Sequence, residues 1–221
     1  NCQGKTTIRF VTMGDSQRWY DETEDFVKEI NKRNDIDFVI HGGDMSDFGL
    51  TKEFLWQRDI MNGLNVPYVV LIGNHDCLGT GAETYKAVFG PTNFSFIAGN
   101  VKFVCLNTNA LEYDYSEPVP NFTFMEQEIT SRLDEFEKTV ISMHARPYTD
   151  VFNDNVAKVF QHYIRQYPGI QVCTAAHTHH YQDDVIFDDG IHYVTSDCMD
   201  YRTYLVFTIT PEKYEYELVK Y

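Results

Sequence analysis

The chain has 221 residues, a length suited to one domain spanning 1–221, and its 43% hydrophobic content is that of an ordinary globular core, which excludes global disorder. With 33 acidic and 18 basic residues the formal charge is −15, which argues against a sequence-independent grip on nucleic acid and against attraction to an anionic membrane surface. No apolar run approaches the length needed to span a bilayer.

In chain order, the start at Asn1 instead of methionine implies removal of upstream residues. Cys2 is read either as the lipid-modified residue of an exported, cell-envelope protein or as a residue left at a chain boundary; without export the expected compartment is cytoplasmic. Thr7 to Met13 alternates as a strand and stops at Gly14-Asp15-Ser16-Gln17. Asp21 to about Arg33 carries Phe26, Val27 and Ile30 at helical spacing, with acids early and bases late. Phe38 to His41 is a second strand, closed by Gly42-Gly43-Asp44-Met45-Ser46-Asp47. Thr51 is placed to cap a second helix with Phe54, Leu55 and Ile60 inward. Pro67 to Ile72 is a third strand, running into Gly73-Asn74-His75-Asp76. This β-loop-α order predicts a parallel sheet with right-handed crossovers.

The middle changes character. Tyr85 to Phe89 reads as a short helix, and Asn93 to Leu106 as a hairpin turning at Gly99-Asn100. Asn107 to Pro120 is a long polar loop, and a helix is expected from about Phe124 to Leu133. Thr139 to Met143 is a strand ending in His144-Ala145-Arg146. Asn155 to Gln166 is expected as a helix with Val156, Val159, Phe160 and Tyr163 on one face. The strand Ile170 to Ala175 ends in Ala176-His177-Thr178-His179. Period-two segments follow: Val185 to Phe187 and Ile191 to Val194 joined by an Asp189-Gly190 turn, then Tyr204 to Thr210 and Tyr214 to Val219. The five cysteines have no short paired spacing, so no disulfide framework or zinc knuckle is implied, and Cys105 and Cys173 read as small core residues.

Five strand ends therefore carry ligand-capable side chains: Asp15 with Gln17, Asp44 with Asp47, Asn74 with His75, His144, and His177 with His179. Carboxylates, imidazoles and an amide oxygen form a mixed N/O set suited to Mn, Fe or Zn and too rich in nitrogen for a calcium or magnesium cage. Two such cations a few ångströms apart activate water and clamp the oxygens of a displacement at phosphorus.

On these motifs the chain resembles the calcineurin-like metallophosphoesterase superfamily, whose pattern is Asp-x-His, Gly-Asp-x-x-Asp, Gly-Asn-His-Asp/Glu, a single His and Gly-His-x-His, each at a strand end. The matches, Asp15-Ser16-Gln17, Gly43 to Asp47, Gly73 to Asp76, His144 and Ala176 to His179, stand in that order. The resemblance implies an α/β fold, a four-layer α/β/β/α sandwich of two mixed sheets, with two divalent metal ions (Mn, Fe or Zn). Asp15 and His179 would hold the first metal, with Gln17 where the family has His, so that side is expected to be weak or empty. Asp44 would bridge, and Asn74, His144 and His177 would hold the second. His75 would contact the phosphoryl oxygens and protonate the leaving group, Asp76 would orient His75, and Asp47 would stand behind the ligands. The implied activity is hydrolysis of a phosphomonoester or phosphodiester by metal-activated water on a small phosphorylated substrate. The alternative is a weak or inactive relative that binds a phosphorylated ligand or partner through the same site.

Outside the motifs, Arg146 is read as a substrate-phosphate contact or a surface ion pair, and His41 as internally hydrogen-bonded. His180 is read as an edge position, and His162 and His192 as structural. Cys77 is read as packing. Tyr113, Tyr115 and Phe122 line a cleft or cover a sheet edge.

Overall fold

The computed structural model describes residues 2–110 and 118–221. The first half alternates as expected through β1 (Ile8–Met13), α1 (Tyr20–Ile30), β2 (Phe38–His41), α2 (Thr51–Met61), β3 (Tyr68–Val70) and α3 (Gly81–Phe89). The hairpin β4 (Phe94–Ala98) and β5 (Val101–Leu106) turns at Gly99-Asn100, and α4 (Phe122–Thr130), β6 (Lys138–Met143), α5 (Ala157–Ile164) and β7 (Ile170–Ala175) follow. The chain ends in β8 (Gln182–Asp184), β9 (Tyr193–Thr195), β10 (Thr203–Ile209) and β11 (Tyr214–Lys220).

The strands form two mixed sheets, ordered β11-β10-β1-β2-β3 and β4-β5-β6-β7-β9-β8. In each, a parallel centre (β1-β2-β3; β5-β6-β7-β9) is flanked by antiparallel strands. Side-chain alternation makes the layers. On β1, Ile8 and Phe10 face the second sheet while Val11 and Met13 face α1 and α2. Between the sheets Phe10, Phe38, Phe103 and Phe207 interlock, with Phe10 stacked on Phe207 at 5.1 Å and edge-on to Phe103 at 5.0 Å. On β5 the same parity sends Phe103 and Cys105 inward, and Val104 and Leu106 out toward Phe160 and Ile164 of α5. Three apolar seams thus separate four layers, which is the α/β/β/α sandwich. Among the described residues no helix is long and apolar enough to cross a membrane.

Several elements differ from their expected form. Helix α2 starts at Thr51 without using it as a cap; the Glu53 carboxylate accepts the Phe48 and Leu50 amides at 3.0 and 3.1 Å instead. Its buried face is Glu53, Phe54, Gln57 and Met61, with Leu55 and Ile60 on the flanks. In α5 the inward residues are Ala157, Phe160 and Ile164, and Val159 is 47% exposed. Asn121 caps α4 by accepting the Phe124 amide at 3.0 Å, so the helix begins and ends earlier than expected. Val185 to Phe187 is no strand: β8 precedes it, and Ile186 and Phe187 fold onto the outer apolar seam beside Tyr193. The Asp189-Gly190 turn lies within that longer loop. Phe122 stacks on Tyr163 at 5.4 Å and so covers the outer layer, while Tyr113 and Tyr115 lie outside the described residues.

Candidate metal centre

The parallel strands of both sheets deliver their carboxyl ends to one edge, where α/β proteins gather binding groups. The loops there are sewn together by backbone hydrogen bonds: the Asp15 amide donates to the Gly43 carbonyl, and the Ser16 and Gln17 amides donate to the Asp44 carbonyl, all at 3.0 Å. The Ala176 amide donates to the His144 carbonyl at 2.9 Å, and the His177 amide to Asp15 Oδ2 at 2.9 Å. Asp15, Asp44, His177 and His179 all sit in the left-handed region, at φ of 51° to 76°. That conformation is uncommon for residues with a side chain and is held only where the surroundings impose it. The close approach also requires glycine at two positions. A Cβ on Gly73 would lie 2.0 Å from Asp44 Oδ1, and one on Gly43 would lie 2.7 Å from His144 Nδ1.

One group gathers tightly. Asp44, His144 and His177 offer ligand atoms within 4.8 Å of one another. The His144 Nδ1–H donates to the Gly42 carbonyl at 2.8 Å, so Nε2 carries the lone pair of the neutral ring. That nitrogen faces Asn74 Oδ1 at 3.0 Å and Asp44 Oδ2 at 3.4 Å. Three acceptors turned on one another require a positive charge among them. Without a cation the charge is a proton: burial alone would lower His144, but the Asp44 carboxylate outweighs it and lifts the ring to about 9. Asp44 is lowered despite its burial, because His144 faces it. His177 is lowered by its own burial and by His144. A divalent ion fits the place of that proton.

The second group is looser. His179 Nε2 stands 3.5 Å from Asp15 Oδ1, and hydrogen bonding to Asp15 and to Cys198 raises His179 to about 10. The Gln17 side-chain oxygen is buried without a hydrogen-bond partner, and the buried Asp15 Oδ1 has no contact closer than the His179 ring. Such orphaned oxygens cost free energy unless a cation meets them, so this side also fits a metal, with Gln17 contributing a neutral oxygen.

His75 sits at the mouth, its side chain 35% exposed. Its Nδ1–H donates to the Asp47 carbonyl at 2.9 Å, with the Asp47 carboxylate 3.8 Å away, which leaves Nε2 available. The expectation that Asp76 orients His75 is corrected. The Asp76 carboxylate is fully buried and accepts the amides of Asp44, Ser46 and Gly73 and the Ser46 hydroxyl, at 2.8 to 2.9 Å. Burial, then the nearby Asp44 charge, pushes it up to about 7 against these four donors. Asp76 therefore shapes the Asp44 loop, and Asp47 is what holds the histidine. Of the two readings of Arg146 the structure shows the ion pair: its Nη2 donates to Gln182 and to Asp184, both at 2.8 Å, which ties it to β8.

Two partners escaped the sequence reading. Asp150 accepts from His177 Nε2 at 2.5 Å, and Arg18 bonds the Asp47 carboxylate. Only the acidic and basic character of the loops hinted at either. His41 is hydrogen-bonded internally as expected: its Nδ1 accepts the Gly43 amide at 3.1 Å and its Nε2–H donates to Ser16 Oγ at 2.8 Å. Burial holds it neutral, down to about 3. Cys77 is packed, and Cys105 and Cys173 lie in the core.

Comparison with known proteins agrees with this arrangement. A dimetal phosphatase from Danio rerio superposes with a TM-score of 0.75 at 11% identity, covering 96% of this chain and 97% of that one. GAP50, described as the anchor in the inner membrane complex of Plasmodium, superposes at 0.72 with 12% identity, covering 98% and 85%. The protein TT1561 of Thermus thermophilus superposes at 0.65 with 12% identity, covering 96% and 99%. At these identities the likeness is one of fold. No curated protein is a significant sequence match. The profile of the calcineurin-like phosphoesterases matches residues 8–181, the span that contains every motif above, and the chain belongs to that family.

Proposed function

We propose that the protein hydrolyses a small phosphate ester with two divalent cations, manganese being the first to try. The observation that carries this is the set of three facing acceptors, His144 Nε2, Asn74 Oδ1 and Asp44 Oδ2, in a buried loop cluster. His144, Asn74, Asp44 and His177 would hold one ion, and Asp15, Gln17 and His179 the other, with Asp44 between them. When bound, such ions supply a strong nucleophile at neutral pH and positive charge for phosphoryl oxygens.

The chain's own residues do the rest. Asp47 fixes the His75 ring through Nδ1, so that Nε2 is the atom that delivers a proton to the leaving oxygen. Asp76 holds the Asp44 and Gly73 amides in place, which fixes the turn carrying Asn74 and His75. His41 stays neutral beneath the site and braces the Ser16 and Gly43 backbones without adding charge.

The test is hydrolysis of p-nitrophenyl phosphate and bis-p-nitrophenyl phosphate by wild type and His75→Asn after loading with manganese, iron or zinc. Wild-type turnover with a drop of about 10²–10⁴-fold in kcat for the variant is expected. A metal-loaded wild type that hydrolyses neither ester sinks the enzyme reading. The competing reading, a binding protein without catalysis, draws on Gln17 in place of the family's histidine and on the anchor role described for the Plasmodium protein of like fold. The fixed His75 ring favours catalysis, because binding alone needs no proton donor.

A further inference from the structure

The site loops are poor in cations. Across residues 14–19, 42–50, 73–80, 107–110, 118–121, 144–153, 176–181 and 196–202, the Lys and Arg residues are Arg18, Arg146 and Arg202 alone. Arg146 is bound to Gln182 and Asp184, and Arg202 to Asp25 at 2.7 Å and Glu22 at 3.4 Å. Arg18 differs. One Nη donates to Asp47 Oδ1, while Nε and the other Nη have no hydrogen bond among the described residues, and the side chain is 57% exposed. Its backbone is left-handed at φ 62°, an uncommon state for so large a residue and one shared with Asp15, Asp44, His177 and His179. Arg18 and His75 approach the same carboxylate, Arg18 by its hydrogen bond and His75 Nδ1 from 3.8 Å. The free guanidinium face and the free His75 Nε2 therefore flank one acid at the mouth of the site.

We propose that Arg18 binds the substrate phosphate and makes the site select phosphomonoesters over phosphodiesters. This rests on the phosphoesterase reading. A monoester presents three non-bridging oxygens and, near neutrality, two negative charges; a diester presents two oxygens and one charge. The guanidinium fork takes two of these oxygens in a plane, the third is left to the cations, and His75 Nε2 stays at the leaving oxygen. A diester sets its second ester arm against the fork, leaving donors unpaired and one charge fewer to meet. In a protein of charge −15, a local cation at the mouth also offsets the field that repels a dianion.

The experiment measures kcat and KM for p-nitrophenyl phosphate and bis-p-nitrophenyl phosphate, and the dissociation constant of inorganic phosphate by calorimetry. It uses the manganese-supplied wild type, Arg18→Gln and Arg18→Lys. Arg18→Gln is expected to weaken phosphate binding and raise the monoester KM by about 30-fold, the range of a lost charge-assisted pair, with the diester KM moving less than about threefold. Arg18→Lys keeps the charge without the fork and recovers part of the loss. If Arg18→Gln does not fold, the lysine variant decides, an unchanged phosphate affinity overturning the proposal. An equal fall in kcat for both esters with phosphate affinity intact would make Arg18 a support for Asp47 and overturn it. A wild type that binds phosphate but hydrolyses neither ester defeats the phosphoesterase reading, while the phosphate affinities of the variants still decide the role of Arg18. A wild type without phosphate affinity overturns it.

Discussion

A methyl group added at Gly42 has almost nowhere to go. Its carbon would lie 2.9 Å from the Ala176 Cβ and 3.3 Å from the Met13 carbonyl oxygen, in a buried loop whose amide already donates to that carbonyl at 2.6 Å. A carbon added at Gly14 meets the same Ala176 methyl at 2.9 Å. Ala176 thus fills a socket walled by two glycines, which is why this chain tolerates alanine where the family pattern has glycine. Overpacking of this kind costs about 1–3 kcal/mol. The unfolded-state gain of replacing glycine returns about 0.4–1 kcal/mol, so Gly42→Ala should destabilise by about 1–2 kcal/mol. Ala176→Gly should cost about 1 kcal/mol alone through lost burial and backbone entropy. Together the two should cost less than their sum, with a coupling of about 1–2 kcal/mol, since the second change removes the atom that the first strikes. The assay is urea unfolding of wild type, both single variants and the double variant, all with chelator, so that metal affinity does not enter. At this chain length each kcal/mol corresponds to about 2–4 °C in a parallel melt. Additivity within about 0.3 kcal/mol would refute the socket.

Three further outcomes follow from the same loops. His41 is held down to about 3 by burial, so the unfolded chain takes up its proton first as pH falls below about 6.5. Wild type should lose about 2 kcal/mol more than His41→Asn between pH 7 and pH 5, and parallel pH profiles would contradict this. His144, raised to about 9 by Asp44, carries a proton at pH 7 that a metal must displace. Calorimetric titration of metal in buffers of differing ionisation enthalpy should report release of about one proton, and zero release would show that this ring does not meet the ion. Asp76→Asn sets an amide against the four donors now meeting a carboxylate, and should cost about 3 kcal/mol in chemical unfolding. Asp47→Asn should cost less than about 1 kcal/mol, because the carbonyl that holds His75 remains; equal losses would reverse the two roles.

The layered fold was legible because its signals are local. Short strand-like runs closed by glycine gave β1, β2 and the β4–β5 hairpin nearly to the residue, and the alternation of side chains along them decides which seam each one enters. Where the signal was composition alone, the reading slipped. Val185-Ile186-Phe187 has the β-branched and aromatic content of a strand, yet Ile186 and Phe187 are used to close the outer seam as a loop. Val159 shares α5 with Phe160 but lies on the opposite side of the turn from the buried residues. Thr51 looked like a cap, and the capping was done by Glu53 two positions later.

The site shows the same division between what sequence carries and what only packing decides. Each ligand-capable residue was visible because it ends a strand, and a strand end fixes position within a residue or two. Pairing between those residues is set across loops from different strands, and there adjacency misleads. His75 and Asp76 are neighbours, but the short helical turn from His75 to Cys77 turns their side chains apart. The histidine goes outward to Asp47, and the carboxylate goes inward to three backbone amides and a hydroxyl. The group that orients a working imidazole must therefore be sought on the facing loop; here it is a backbone carbonyl 28 positions away. The same reasoning brings Arg18 to the mouth. Its neighbour Gln17 enters the buried cluster, and Arg18, one residue on with a left-handed backbone, brings its guanidinium out beside Asp47, whose carbonyl holds the proton donor.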